Sequence, residues 1–257
     1  ALRELDIPIQ AVTGASIGSI NGALLAQGDF QAALDAWHSV RMSQIVKADG
    51  ISDATENLLD PRNLALITRE MIMRRGLDNT PLRDTLAAIL DEDRIRASGI
   101  DYGMTTFSKT DLSTTEIFVG DIPQGQLIDY IMASACFPIF KSVQIGEHEF
   151  IDGGIGDNMP VRMLLRRGCR HIITVDIGGV GLVRPVHPDG ATIITIKYSM
   201  PLGGLFDLSP ETLAFNQALG YLDTMKVFGR MRGKYYFFPC RQYERMTAHF
   251  SRYTCEG

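Results

Sequence analysis

A chain of 257 residues that is 45% hydrophobic and 21% charged has ordinary globular composition and enough length to bury a sizeable core. Its net charge of −5 gives no basis for nucleic-acid binding, and Arg166, Arg167 and Arg170 read as a solvated helix end rather than a phosphate track. No stretch approaches the roughly 20 apolar residues that span a bilayer; Cys136, Cys169, Cys240 and Cys255 lack the close pairs of zinc or redox motifs, which points to a reducing, cytoplasmic setting.

The chain opens on "ALRELDIPIQ", which has no initiator Met and reads as the last turns of an amphipathic helix, so the expectation is that the natural N-terminus lies upstream. "IQAVT" is a short buried strand. Ile17 to Gln27 follows as a helix rich in Ala and Leu, stopped by Gly28, and Phe30 to Val46 reads as a second helix. From Asp49 to Arg96 the pattern is mainly helical, with Thr80 and Pro81 as a cap and first helical position. No strand is evident there, so 49–96 is expected to be a helical cap segment beside a sheet.

"DYGMTTFS" and "TTEIFVG" read as a strand pair joined by the polar turn "KTDLS". Gln126 to Ala135 is helical, and "KSVQI", "GEH" and "EFID" suggest a small hairpin. "HIITVDIGG" and "ATIITIKYS" are β-branched runs of the kind found in central strands, and Pro210 to Arg230 is a long helix. Strands alternating with helices indicate an α/β fold. No repeat, low-complexity tract or linker interrupts the chain, so residues 1–257 are expected to form a single domain.

Two stretches carry chemistry. In "VTGASIGSINGALL", residues 12–25, a strand runs into G-x-S-x-G and then into a helix, and Gly14 and Gly18 allow the crowded turn that exposes a serine. Ser16 would sit at the helix N-terminus, where unpaired amides favour negative charge, and the Ile17 amide can donate to an oxyanion. The same residues also suit a tight strand-to-helix connection in which Ser16 is merely small. In "ASACFPIFKSVQIGEHEFIDGGIGDNMPV", residues 133–161, Asp152 follows an apolar strand end and precedes Gly153 and Gly154. Alone it could be a turn aspartate bonding its own backbone. Together the two stretches offer an alcohol and a base from separate strand ends, the usual placement of active sites in α/β sheets.

At these residues the sequence resembles the patatin-like phospholipase family. "GASIG" corresponds to the family's serine motif, "DGG" to its D-G-[GA] motif, and "ASACFPIF" and "DNMPV" to the flanking segments, with similarity from about Ala1 through Asp176. The resemblance implies a three-layer α/β/α fold with a central mixed sheet, a Ser16 and Asp152 catalytic dyad, and hydrolysis of acyl esters in phospholipids or other acyl lipids. Contact with a membrane surface would be peripheral. In such a mechanism Ser16 attacks the ester carbonyl while Asp152 takes its proton, through an acyl-enzyme. No metal or cofactor is required, because the dyad supplies nucleophile and base. A carboxylate of reference pKa about 3.9 is a weak base for a serine, so a desolvated site must raise its proton affinity. The family's glycine-rich oxyanion segment, G-G-G-x-[RK]-G, has no counterpart before Ser16; it is expected upstream of Ala1. "IGGVG", residues 177–181, reads as a plain loop, with substitute oxyanion amides as the alternative.

Two other functions fit parts of the pattern. A Ser-Asp-His triad of the α/β-hydrolase type would recruit His187, in "RPVHPDG", or His249, neither in a convincing motif; His38, His148 and His171 are assigned no part. A catalytically impaired lipid-binding or regulatory protein would fit the missing glycine-rich segment. Ile67, Met71, Ile72 and Leu77 are candidates to line an acyl channel, and also suit plain core positions. "GRMRGKYYFFP" mixes basic and aromatic residues and reads as a helix end followed by a buried strand rather than a membrane contact.

Overall fold

A computed structural model describes residues 1–47, 73, 75–233 and 237–239. In chain order its strands and helices are β1 (Ala11–Ala15), α1 (Ile17–Gln27), α2 (Phe30–Ser39), α3 (Thr80–Ile89), α4 (Glu92–Ala97), β2 (Asp101–Ser108), β3 (Ser113–Phe118), α5 (Leu127–Ser134), β4 (Val143–Ile145), β5 (His148–Ile151), α6 (Gly154–Asp157), α7 (Val161–Arg166), β6 (His171–Asp176), β7 (Thr192–Lys197), α8 (Pro210–Val227), β8 (Met231–Arg232) and β9 (Phe238–Pro239).

The main sheet is mixed and is built around β2. Parallel β1 pairs with it from Asp101 to Thr105, and antiparallel β3 pairs from Gly103 to Ser108. Antiparallel β5 pairs with Phe107 and Ser108, and β4 completes the hairpin on β5. The side-chain alternation of a strand divides β2 between two helical layers. Tyr102 and Met104 are fully buried in one cluster with Ile20, Leu24, Leu86, Ile95 and Ile131, drawn from α1, α3, α4 and α5. Gly103 and Thr105 face the other way. A Cβ on Gly103 would lie 2.9 Å from Met163 of α7, and the Thr105 hydroxyl donates to the Asp157 carbonyl at 3.0 Å. Helices thus flank both faces, giving the expected α/β sandwich with its mixed sheet in the middle. Tyr102 ties two layers together: its buried hydroxyl donates to the Ser19 carbonyl at 2.6 Å and holds the first turn of α1 against the sheet.

Several expectations change. The second helix ends at Ser39 rather than Val46: Val40 turns extended, with ψ 137°, and a separate 3₁₀ turn spans Met42–Gln44, where the Gln44 side chain accepts from the Arg41 amide at 2.8 Å. A β-branched residue leaving the helix and a local side-chain acceptor restarting the turn account for the break. The helix expected to start at Pro81 starts one residue earlier, with Asn79 at its N-cap and Thr80 bonded to Asp78 through both amide and hydroxyl. The last helix stops at Val227 rather than Arg230.

Most of the proposed cap segment, including Ile67, Met71 and Ile72, lies outside the described residues, as do Cys240, His249 and Cys255. Its described remainder belongs to the main body. Leu86 and Ile95 sit in the core, while Leu77, fully buried, bridges to Phe140 and packs in a second cluster with Met42, Val46, Cys136 and Ile139. Leu77 is therefore a core residue.

"HIITVDIGG" and "ATIITIKYS" do form strands, but not in the main sheet. Among the described residues β6 and β7 pair only with each other, in parallel, from His171↔Thr192 to Asp176↔Lys197. β-branching reports fitness for a pleated surface; it does not say which strand is the partner. Helix α7 packs against both β1 and β6, linking the two sheets. The stretch after α8 forms the two-residue ribbon β8–β9, and Met231 in it is only partly buried.

Candidate active site

Register brings the two sequence-predicted turns together. Because β3 occupies one edge of β2 from Gly103 to Ser108, β1 and β5 must share the other. They run towards each other along it: the last residue of β1, Ala15, pairs with Thr105, and the last residue of β5, Ile151, pairs with Phe107. The next residue of each strand, Ser16 and Asp152, therefore meets the other opposite Thr106. Thr106 secures the junction by donating from its hydroxyl to the Ile151 carbonyl at 3.1 Å.

At the meeting point the Ser16 hydroxyl donates to Asp152 Oδ2 at 2.6 Å. The other carboxylate oxygen, Oδ1, accepts from the Gly154 amide at 2.8 Å, which fixes the carboxylate plane. Asp152 is 4% exposed. Burial raises its affinity for a proton above that of an ordinary aspartate, and the bonds from Ser16 and Gly154 oppose that shift.

Ser16 is held in an unusual backbone conformation, φ 53° and ψ −126°, as a residue on a sharp strand-to-helix turn must be. Such a conformation costs a non-glycine residue on the order of 1–3 kcal/mol. It is partly offset by a hydrogen bond from the Ser16 amide to the Ser134 hydroxyl oxygen, 3.1 Å. Ile17 and Gly18 open α1, so their amides have no intrahelical acceptor and point to the end of the helix where negative charge is stabilised. Ile17 itself is exposed.

The two glycines of the serine motif differ. A Cβ on Gly14 would lie 2.2 Å from the Gly18 carbonyl, so the turn closes only with glycine there. A Cβ on Gly18 would meet nothing within 4 Å; the crowding expected at Gly18 comes from its backbone alone. Gly153 is required for close approach, since a Cβ would lie 2.0 Å from the Thr105 carbonyl. Gly154 contributes the amide already described.

Three features escaped the sequence reading. Ser134, the last residue of α5 and fully buried, touches both turns: its side chain accepts from Ser16, and its carbonyl accepts from the Gly153 amide at 3.1 Å. The neighbouring Cys136 carbonyl accepts from the Asp152 amide at 2.9 Å, while burial, reinforced by the nearby Asp152 charge, pushes the Cys136 thiol up to about 12. The loop at 177–184 is fastened to the turn after Asp152. The Asn158 amide donates to the Leu182 carbonyl at 2.6 Å, the Leu182 amide to the Gly154 carbonyl at 2.8 Å, and Arg184 Nε to the Gly156 carbonyl at 2.9 Å. "ASACFPIF" and "IGGVG" were the available signals, but neither motif tells which of its polar atoms turns inward.

The described histidines, His38, His148, His171 and His187, are all exposed, and neither Ser16 nor Asp152 has a histidine among its hydrogen-bond partners. Among the described residues no group of three or more His, Cys, Asp or Glu side chains is arranged to hold a metal, and no helix is long and apolar enough to cross a membrane.

The chain is 29% identical over 189 residues to the patatin-like phospholipase domain-containing protein ZK370.4 of Caenorhabditis elegans, a match covering 70% of this chain and 12% of that protein's length. A superposition on VipD from Legionella pneumophila covers 56% of this chain and 34% of that one at 17% identity, with a TM-score of 0.32, too low to bear on fold or function. Residues 1–165, which contain both turns and the sheet that joins them, match the patatin-like phospholipase family, and the chain belongs to that family.

Proposed function

We propose that this chain is a serine lipid acyl hydrolase, of phospholipase A or lysophospholipase type, in which Ser16 is the nucleophile and Asp152 the general base. The observation that carries the reading is the 2.6 Å hydrogen bond from Ser16 Oγ to a buried carboxylate whose proton affinity is raised. Membership of the patatin-like phospholipase family supports an acyl-lipid substrate.

The chemistry follows from the contacts. Ser16 Oγ attacks the ester carbonyl carbon as its proton passes to Asp152 Oδ2. The carbonyl oxygen becomes an oxyanion, stabilised by the Ile17 amide at the start of α1. As the intermediate collapses, Asp152 returns the proton to the departing alkoxide, leaving the acyl group on Ser16. Water then attacks the acyl-enzyme, giving its proton to Asp152; collapse releases the fatty acid, and the proton returns to Ser16. Burial makes Asp152 a better proton acceptor, while the Gly154 amide on Oδ1 leaves Oδ2 to do the transfer. The steps use protein side chains and water throughout, with no metal or cofactor assigned. We place the reaction in the cytoplasm, at the surface of a membrane that supplies the lipid, with residues 1–257 belonging to one patatin-like domain.

Incubation with phosphatidylcholine and lysophosphatidylcholine vesicles, with products resolved by mass spectrometry, tests the reading. Release of free fatty acid that disappears in Ser16→Ala is the expected result. Absence of fatty-acid release from these vesicles and from soluble short-chain esters would overturn it.

A further inference from the structure

Ser134 stands where the two catalytic turns are joined, yet it is hydrogen-bonded to neither reacting oxygen. It closes α5, and the carbonyl at the end of a helix has no intrahelical donor. Here that carbonyl takes the Gly153 amide at 3.1 Å, and the Cys136 carbonyl, two residues on, takes the Asp152 amide at 2.9 Å. The backbone of 134–136 is thus laced to the base's turn. The Ser134 hydroxyl oxygen accepts from the Ser16 amide at 3.1 Å, across 118 residues of sequence. The residue is 0% exposed, and loss of its hydroxyl would leave the Ser16 amide without this acceptor. That amide belongs to the one residue of the site whose φ, 53°, is unfavourable for a side-chain-bearing residue.

We propose that Ser134 is a positioning residue of the hydrolase: with its side chain on the Ser16 amide and its carbonyl on the Gly153 amide, it couples nucleophile and base and sets their 2.6 Å separation. The proposal rests on the hydrolase reading above. Serine suits the task because alanine offers no acceptor, whereas cysteine preserves the shape and accepts only weakly.

The test compares wild-type protein, Ser134→Ala and Ser134→Cys on a soluble short-chain ester, with melting followed in parallel. A misplacement of about 1 Å at a reacting group costs on the order of 10²-fold, so Ser134→Ala should lower kcat about 10- to 100-fold with KM within about twofold, and Ser134→Cys should fall between. The acid limb of kcat/KM supplies a readout that a merely structural role would not move. The Ser16 bond lowers the proton affinity of Asp152; a loosened Ser16 gives up part of that effect, so the limb should move to higher pH. Cys136, which lies within reach of the Asp152 charge, does not confuse this shift, because burial holds its thiol at about 12 and it stays neutral across the range. A folded Ser134→Ala with wild-type kcat and an unmoved limb would overturn the proposal, as would a loss confined to KM. If Ser134→Ala does not fold, the Ser134→Cys profile decides by the same two criteria; failure of both to fold assigns Ser134 to structure and overturns it too. Failure of the underlying reading looks different: the wild-type protein itself would then be inert towards the ester.

Discussion

Ser16 and Asp152, separated by 136 residues of sequence, share a 2.6 Å hydrogen bond because the strands that carry them meet head to head along one edge of β2. The carboxylate is committed on both sides, Oδ2 to the Ser16 hydroxyl and Oδ1 to the Gly154 amide. Replacing Asp152 by asparagine keeps its shape and removes the base of the proposed mechanism. Asp152→Asn should reduce ester hydrolysis by about 10²- to 10⁴-fold while the protein stays folded. Alanine at His38, His148, His171, His187 or His249 should leave turnover within about tenfold, since none is assigned a proton-transfer role. A folded histidine variant as inactive as Ser16→Ala would replace the dyad with a triad.

The backbone strain at Ser16 predicts a stability order. Glycine adopts φ 53° without steric penalty, and alanine does not. Both Ser16→Gly and Ser16→Ala should be inactive, but Ser16→Gly should be the more stable by about 1 kcal/mol in urea denaturation. Equal stabilities would mean that the turn holds no such strain.

Gly14 and Gly18 should respond differently to alanine. At Gly14 the new methyl would collide with the Gly18 carbonyl at 2.2 Å, and at Gly18 it would enter open space. Gly14→Ala is expected to cost at least about 2 kcal/mol and to disturb the elbow. Gly18→Ala should change stability by less than about 1 kcal/mol. Thermal melts of the two variants check the contrast, and a Gly14→Ala protein as stable as wild type would contradict it.

Burial raises the proton affinity of Asp152 above its unfolded value, with the Ser16 and Gly154 bonds opposing. Its ionisation therefore opposes folding: stability is greatest with the carboxyl protonated and declines as pH rises through the raised folded pKa. Asp152→Asn carries no such proton. Its melting temperature relative to wild type should climb with pH and fall back towards acid pH, a trend read from melts across the pH range. A difference that grows as pH falls would reverse the sign and refute the desolvated-base account.

Much of this was legible in the sequence, because it is local. Strand, glycine, serine, glycine and helix are consecutive in residues 11–27, and strand, aspartate and two glycines are consecutive in 148–154. The β2–β3 pair and the β4–β5 hairpin are likewise marked by their turns. What remained hidden is relational. β6 and β7 have the composition of central strands, yet pair only with each other among the described residues, because composition records burial and pleat rather than partner. Ser134 sits in a quoted motif without a role, since a side chain accepting an amide 118 residues away leaves no periodic trace. Gly18 matches a pattern whose steric reason lies at Gly14.

The central claim, that Ser16 is a nucleophile activated by Asp152, is tested most directly by reaction with a fluorophosphonate followed by peptide mapping in a mass spectrometer. The wild-type protein should gain a single phosphonyl group on Ser16, Ser16→Ala none, and Asp152→Asn should react at least about 100-fold more slowly while folded. Labelling of another residue, or equal rates for wild type and Asp152→Asn, would contradict the account.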